Sequence, residues 1–238
     1  MTPVLCIDSG NTRLKWGLRQ GDAWLDRGAL SLAEIGRLPG ADRIVACNVA
    51  GEQARRAIES LPSPVTWVRA QAEQCGVRNG YERPEQLGTD RWCALIGARA
   101  LFAGPALVVM CGTATTIDVL DADGMHKGGL ILPGLDMMRA SLAAGTADLP
   151  AAGGEWRDPL ANIATNTLDA IASGCLAATL GAIREMARRG GLPPIFILLS
   201  GGAAAAVSPH LALPHRVVDN LVLEGLARYP AGQCGVAL

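Results

Sequence analysis

Three short stretches carry the residue types that chemistry needs. The first is Asp8-Ser9-Gly10-Asn11-Thr12, followed by Lys15. It combines an acid, a glycine turn, hydroxyls and a cation, which reads as a cradle for phosphate oxygens with Asp8 toward a divalent cation. The same residues also suit a surface hairpin whose turn is Ser-Gly-Asn. The second stretch is Gly88-Thr89-Asp90-Arg91. Its carboxylate is a candidate proton acceptor with a guanidinium beside it, and an Asp just ahead of a helical pattern also suits an N-cap. The third is Gly112-Thr113-Ala114-Thr115-Thr116, a second turn of amides and hydroxyls.

The flanking patterns show what must hold these residues. Val4, Leu5 and Ile7 form an apolar strand running into Asp8, and Leu14, Trp16 and Leu18 recur at period two in a return strand. Ala23 to Leu30 reads as a third strand, Ser31 as a cap, Arg43 to Cys47 as a buried strand, Gly51 to Ser60 as a helix and Val65 to Val68 as another strand. Residues 71–90 are a long loop rich in turn formers, of the kind that often carries function. Helical spacing then runs from Trp92 to Phe102 and stops at Ala103-Gly104-Pro105, where a domain boundary is expected, giving domains 1–103 and 104–238.

The second half opens like the first. Ala106 to Cys111 is a buried strand, Gly112 to Thr116 a turn, Ile117 to Leu120 the return strand and Lys127 to Leu132 the third. Setting Gly10 on Gly112 superposes the two patterns, puts Met110 opposite Asp8, and indicates a duplicated α/β unit. Pro133 to Ala144 reads as a helix with Leu135, Met138 and Leu142 inward, and Gly145 to Ala164 as irregular. A long helix capped by Thr165 or Asn166 runs to Arg189, with a stripe of Leu168, Ile171, Cys175, Leu176, Thr179, Ile183 and Met186. Ile195 to Leu199 is a strand ending in Ser200-Gly201-Gly202, and a last helix covers about Asn220 to Arg228.

Composition narrows the function classes. The 238 residues are 50% hydrophobic and 18% charged, with a net charge of −1 and mixed signs, so neither a nucleic-acid footprint nor a basic membrane face is expected. Met1 to Leu5 lacks the basic region of a signal peptide, and no apolar run reaches the ~18–20 residues of a membrane helix. Seven cysteines without a Cys-x-x-Cys spacing read as buried thiols of a cytosolic protein, and the three scattered histidines argue no zinc site. The chain contains neither a Gly-x-x-x-x-Gly-Lys-Ser/Thr loop nor a Gly-x-Gly-x-x-Gly turn, which excludes a P-loop and weakens a dinucleotide site.

Five motifs in order resemble the type III pantothenate kinase family, also named after the Bvg accessory factor: Asp8 to Thr12 with Lys15; Gly88 to Arg91; Gly112 to Asp118; Gly128-Gly129-x-Ile131-x-Pro133-Gly134 with Met138; and Asn166-Thr167-x-x-Ala170-Ile171-x-x-Gly174. The resemblance implies the acetate and sugar kinase/Hsp70/actin fold, with two duplicated actin-like, ribonuclease H-like domains and a nucleotide cleft between them. It also implies a homodimer dimerising through the second domain, ATP, Mg²⁺ and pantothenate. Carried over by residue, Asp8, Gly10, Asn11, Thr12 and Lys15 match the first ATP-phosphate motif, with Asp8 toward Mg²⁺ directly or through water. Gly112, Thr113 and Thr115 match the second, and Gly201 and Gly202 the adenosine side. Tyr81, Gly88, Thr89 and Arg91 match the pantothenate side, Asp90 the base, and Thr167 a contact to the partner subunit's pantothenate.

One position departs from the family. Many members carry Asp, linked with a monovalent cation, where this chain has Met110. A thioether is a poor ligand for K⁺, so no K⁺ or NH₄⁺ requirement through that residue is expected. Bland readings stand beside the functional ones: a solvated strand face for Lys15, a packed loop aromatic for Tyr81, a helix cap for Thr167. A non-catalytic accessory protein that keeps the fold, and a polyphosphate hydrolase, are the rival functions.

Overall fold

The computed structural model describes residues 2–146, 149, 163–189 and 196–229. The described chain falls into two compact units. They are not the two linear halves. The first exchange comes at Ala103/Gly104, but residues 122–127 and the segment from Asn220 onward group with residues 1–103.

In the first unit, β1 (Val4–Ser9), β2 (Leu14–Gln20) and β3 (Ala23–Leu30) form an antiparallel meander. The Ser31 expectation resolves into a 3₁₀ turn over Leu32–Arg37, closed by a Ser31/Glu34 capping box. β4 (Arg43–Asn48) lies parallel to β1, α1 (Glu52–Glu59) follows, and β5 (Val65–Trp67) lies parallel to β4. The sheet order is therefore β3-β2-β1-β4-β5. Leu5, Ile7, Leu14, Ile44, Ala46 and Ile58 form the core on one face, where α1 contributes Ala54 and Ile58.

The expected loop over 71–90 contains a small ladder, β6 (Glu73–Gln74) with β7 (Val77–Arg78), before α2 (Thr89–Leu101). Every residue of α2 from Arg91 to Ala98 is buried, because a second helix closes over it. That helix is the last one described, Leu221–Leu226, capped by the Asn220 side chain accepting from the Leu223 N–H at 3.0 Å. Its packing on α2 depends on two glycines. A Cβ at Gly97 would collide with the Leu221 carbonyl, and one at Gly225 with the Cys93 carbonyl. The same helix is tied to the meander by Glu224, which accepts from Trp24 Nε1 at 2.8 Å and pairs with Arg19 at 3.5 Å. These contacts are why the C-terminal helix belongs to the first unit rather than the second.

The second unit repeats the plan. β8 (Ala106–Cys111), β9 (Ala114–Leu120) and β10 (His126–Pro133) form the meander, and α3 (Leu135–Gly145) and α4 (Thr167–Arg189) pack on the sheet. β11 (Phe196–Ser200), the short α5 (Ala204–Val207) and β12 (His215–Val217) follow, and with them the closing helix becomes α6. The sheet order is β10-β9-β8-β11-β12, the same succession as in the first unit. Two inward assignments do not hold. Leu142 is 38% exposed and Leu168 50%, while Arg139 on α3 and Leu180 on α4 are buried instead. Neither leucine belongs to the core cluster of the second unit among the described residues, because helical spacing marks a face without saying what covers it. Among the described residues, no helix is long and apolar enough to cross a membrane. Most of the segment expected to be irregular, 150–162, and part of the strand from Ile195 lie outside the described residues.

Candidate functional site

The first glycine turn sits at the C-terminal end of β1. In the antiparallel register Asp8 faces Lys15, and in the parallel register it faces Cys47. Period-two alternation puts Leu5 and Ile7 in the core and leaves Asp8 on the opposite face with Lys15. Lys15 is half-buried there, so it is not a fully solvated strand residue. The Cys47 thiol donates to Asp8 Oδ1 at 3.6 Å. Asp8 is only 8% exposed, and burial pushes its carboxyl up to about 6, against the pull of Lys15 and with a further push from the Asp90 carboxylate. Gly10 is half-buried and Asn11 and Thr12 are exposed at the tip, where donors can meet a ligand.

Asp90 approaches from α2. The N-cap of that helix is Gly88, without a side-chain capping bond, so Asp90 is the second helical residue and not the cap. Its Oδ1 accepts the Arg91 N–H at 2.8 Å, one of the amides left open by the first turn. A Cβ at Gly88 would stand 2.7 Å from that same oxygen, so glycine two residues before the acid lets the carboxylate keep this position without shifting. Thr89 contributes a buried hydroxyl with no hydrogen-bond partner. Arg91 is buried, and its Nη1 donates to the Tyr81 hydroxyl at 2.8 Å. Asp8, Lys15, Asp90, Arg91 and Tyr81 thus all belong to the first unit.

The second turn is built differently. Its hairpin is one residue tighter, pairing Cys111 with Thr115 where the first pairs Ser9 with Leu14. Met110 therefore faces Thr116, the position Lys15 takes opposite Asp8. Gly112 and Thr113 are exposed, whereas Thr115 is 1% exposed on the core face it shares with Ile117 and Val119. The Thr115 and Thr116 hydroxyls are both buried without a partner. Thr116 is a candidate that sequence reasoning left out of the site, and the Thr-Thr pair was its only signal. The Gly134 N–H donates to the Thr113 carbonyl at 2.9 Å, and a Cβ there would collide with the turn, so the Pro133-Gly134 motif buttresses it. Gly201 adopts φ +103° against the Cys111 carbonyl, a conformation and an approach that only glycine allows. Gly202 is exposed beside it.

Thr167 is the first residue of α4 and is exposed. Asn166 does the capping, accepting the Asp169 N–H at 3.0 Å and donating back to its carboxylate at 2.7 Å. Thr167 lines a groove of about 840 Å³ with Met138, Ser141, Leu142, Ile171 and Gly174.

Among the described residues no cluster of three or more metal-ligating side chains exists. The donor set suits Mg²⁺, which binds through one or two carboxylates and keeps its other positions for water and phosphate. Asp8 is a buried carboxylate whose pKa burial raises against the pull of Lys15, with the Asp90 charge adding to the rise. The half-buried side chain of Met110 offers a monovalent cation a thioether and no oxygen.

The twin five-stranded sheets and paired glycine turns define an actin-like, sugar-kinase type of fold. A conserved Baf family protein from Campylobacter jejuni has a TM-score of 0.66 at 18% identity, covering 94% of this chain and 96% of that one. Component A of the (R)-2-hydroxyglutaryl-CoA dehydratase of Acidaminococcus fermentans has 0.55 at 13% identity, covering 95% of both. The family is closer. The family model described as type III pantothenate kinase matches residues 4–189, and the chain belongs to that family. A type III pantothenate kinase from Aromatoleum aromaticum is 50% identical over 94% of this chain and 96% of its own. One from Dechloromonas aromatica is 48% identical over 94% and 97%.

Proposed function

We propose that the protein transfers the γ-phosphoryl group of ATP to pantothenate, giving 4′-phosphopantothenate and ADP, the first step of coenzyme A biosynthesis. The observation that carries this reading is the pairing of Asp8 with Lys15 at the end of β1, with the Asp90 carboxylate near enough to push on the Asp8 charge, in a chain of this family. Asp90 accepts the proton of the attacking hydroxyl. Proton loss comes late in a loose phosphoryl transition state, so a carboxylate of ordinary basicity suffices when aligned. One Asp90 oxygen is committed to the Arg91 amide, which fixes the direction of the other. Gly88 and Thr89 line the same helix start, and Arg91 with Tyr81 orients the acceptor through its carboxylate.

Asp8, Gly10, Asn11, Thr12 and Lys15 are the phosphate residues of the first unit. Gly112, Thr113 and Thr115, with Gly201 and Gly202, are the nucleotide residues of the second. Asp8 would hold Mg²⁺, directly or through water, and the ion would supply charge neutralisation at the phosphates. The working form is a cytoplasmic homodimer in which Thr167 reaches the partner's pantothenate. Catalysis uses no K⁺ or NH₄⁺ held by a side chain at position 110, because Met110 stands where an acid would hold it.

Incubation with ATP and Mg²⁺, with and without pantothenate, while following ADP, tests this reading. ADP formed only with pantothenate supports it. ADP without pantothenate makes the protein a hydrolase, and no ADP in either case leaves an accessory role.

A further inference from the structure

Tyr81 lies between β7 and α2, outside any helix or strand and just ahead of a 3₁₀ turn at Pro84–Gln86, so no helix or strand sets the direction of its ring. Its N–H donates to Asn79 Oδ1 at 3.0 Å, and Asn79 Nδ2 donates to the Pro84 carbonyl at 3.1 Å. Beside it, Gly80 has no room for a Cβ against the His126 carbonyl. The side chain of the same histidine stacks on the Tyr81 ring, with centroids 5.5 Å apart and planes 25° from parallel. Tyr81 also receives the Arg91 Nη1 hydrogen bond on its hydroxyl at 2.8 Å, with the guanidinium carbon 5.5 Å from the ring centroid.

His126 is itself fixed. It is 0% exposed, at the first position of β10, in the segment 122–127 that belongs to the first unit. The backbone before it is pinned to β7: the Arg78 N–H donates to the Gly124 carbonyl at 2.8 Å, and Arg78 bridges Met125 in parallel. The order of support therefore runs from a buried imidazole, to a half-buried phenol, to a buried guanidinium one residue from Asp90.

We infer that His126 is a positioning residue for the acceptor substrate: its flat face holds Tyr81, and Tyr81 holds Arg91 at the angle that receives the substrate carboxylate. The inference rests on the kinase reading above. It requires a planar ring at 126. Losing the stack loosens acceptor binding while leaving ATP handling to residues elsewhere in the chain.

The test is a pair of variants, His126→Ala and His126→Phe, read by steady-state kinetics and by amide hydrogen exchange of the 79–83 segment. An aromatic pair of this kind sets the scale: His126→Ala raises the KM for pantothenate roughly two- to thirteen-fold. The KM for ATP and kcat stay near wild type, the pattern of lost ground-state and transition-state binding alike. Exchange at Tyr81 speeds up in His126→Ala. His126→Phe, which keeps a flat ring in the cavity, restores both readouts. An unchanged pantothenate KM or unchanged exchange in His126→Ala overturns the inference, and so does equal damage by both variants to kcat and to both KM values. If the wild type forms no pantothenate-dependent ADP, the kinase reading fails on its own, and the exchange comparison alone decides whether His126 holds Tyr81.

Discussion

Replacing Asp8 by Asn is expected to stabilise the metal-free protein while destroying its activity. Burial raises the Asp8 carboxyl from 3.8 to about 6, so between those values the folded state holds a proton that the unfolded state releases. The sign follows. The stability linked to this group is fully present below pH 3.8, is lost as pH rises toward 6, and is absent above. That gap in pKa corresponds to about 3 kcal/mol. Asparagine keeps the shape and an oxygen for the Cys47 thiol but carries no charge to bury. Denaturant unfolding in EDTA, followed at pH 4 and pH 8, measures the difference. Asp8→Asn is expected to be more stable than wild type by up to about 3 kcal/mol at pH 8, with the gap closing toward pH 4. Mg²⁺ with ATP then stabilises the wild type and not the variant. A variant no more stable than wild type at pH 8, or a gap that ignores pH, refutes the account of Asp8 as a costly buried charge.

Asp90→Asn is expected to abolish turnover while ATP still binds, checked by ADP release alongside nucleotide titration; near-normal turnover removes Asp90 as the base. Activity is expected to persist in buffer free of K⁺ and NH₄⁺, and strict dependence on added K⁺ contradicts the reading of Met110. Gly225→Ala should lower stability by about 1–3 kcal/mol through the clash with the Cys93 carbonyl. Helix propensity alone predicts the opposite sign, a gain of about 1 kcal/mol, so a denaturation curve separates the two.

Much of the architecture is legible from local patterns. The strand into Asp8, the glycine turn and the return strand appear where apolar alternation and turn formers place them, because both signals act within a few residues. The duplication is legible for the same reason, since two copies of one local pattern need no knowledge of contacts, and both sheets share one strand order. The five motifs were readable because backbone turns and buried glycines constrain residue type strongly. Gly88, Gly134 and Gly201 each have a backbone or carboxylate where a side chain would go.

What the chain could not show by itself depends on partners far away in sequence. Helical spacing marks a face but not whether anything covers it, so Leu142 and Leu168 read as inward and are exposed. Without the family resemblance Asp90 reads better as a cap than as a base, and the helix instead begins at Thr89 with Gly88 as its cap. The last helix sits with the first unit because Gly97, Gly225 and Glu224 meet residues over a hundred positions away. The same holds at the site. Sequence determined which acids, glycines and cations the protein owns and the turns that carry them. Only the tertiary structure put the Cys47 thiol on Asp8, Asp90 near it, and the His126 ring behind Tyr81. Those neighbours come from strand pairing and helix packing, which local propensity does not encode.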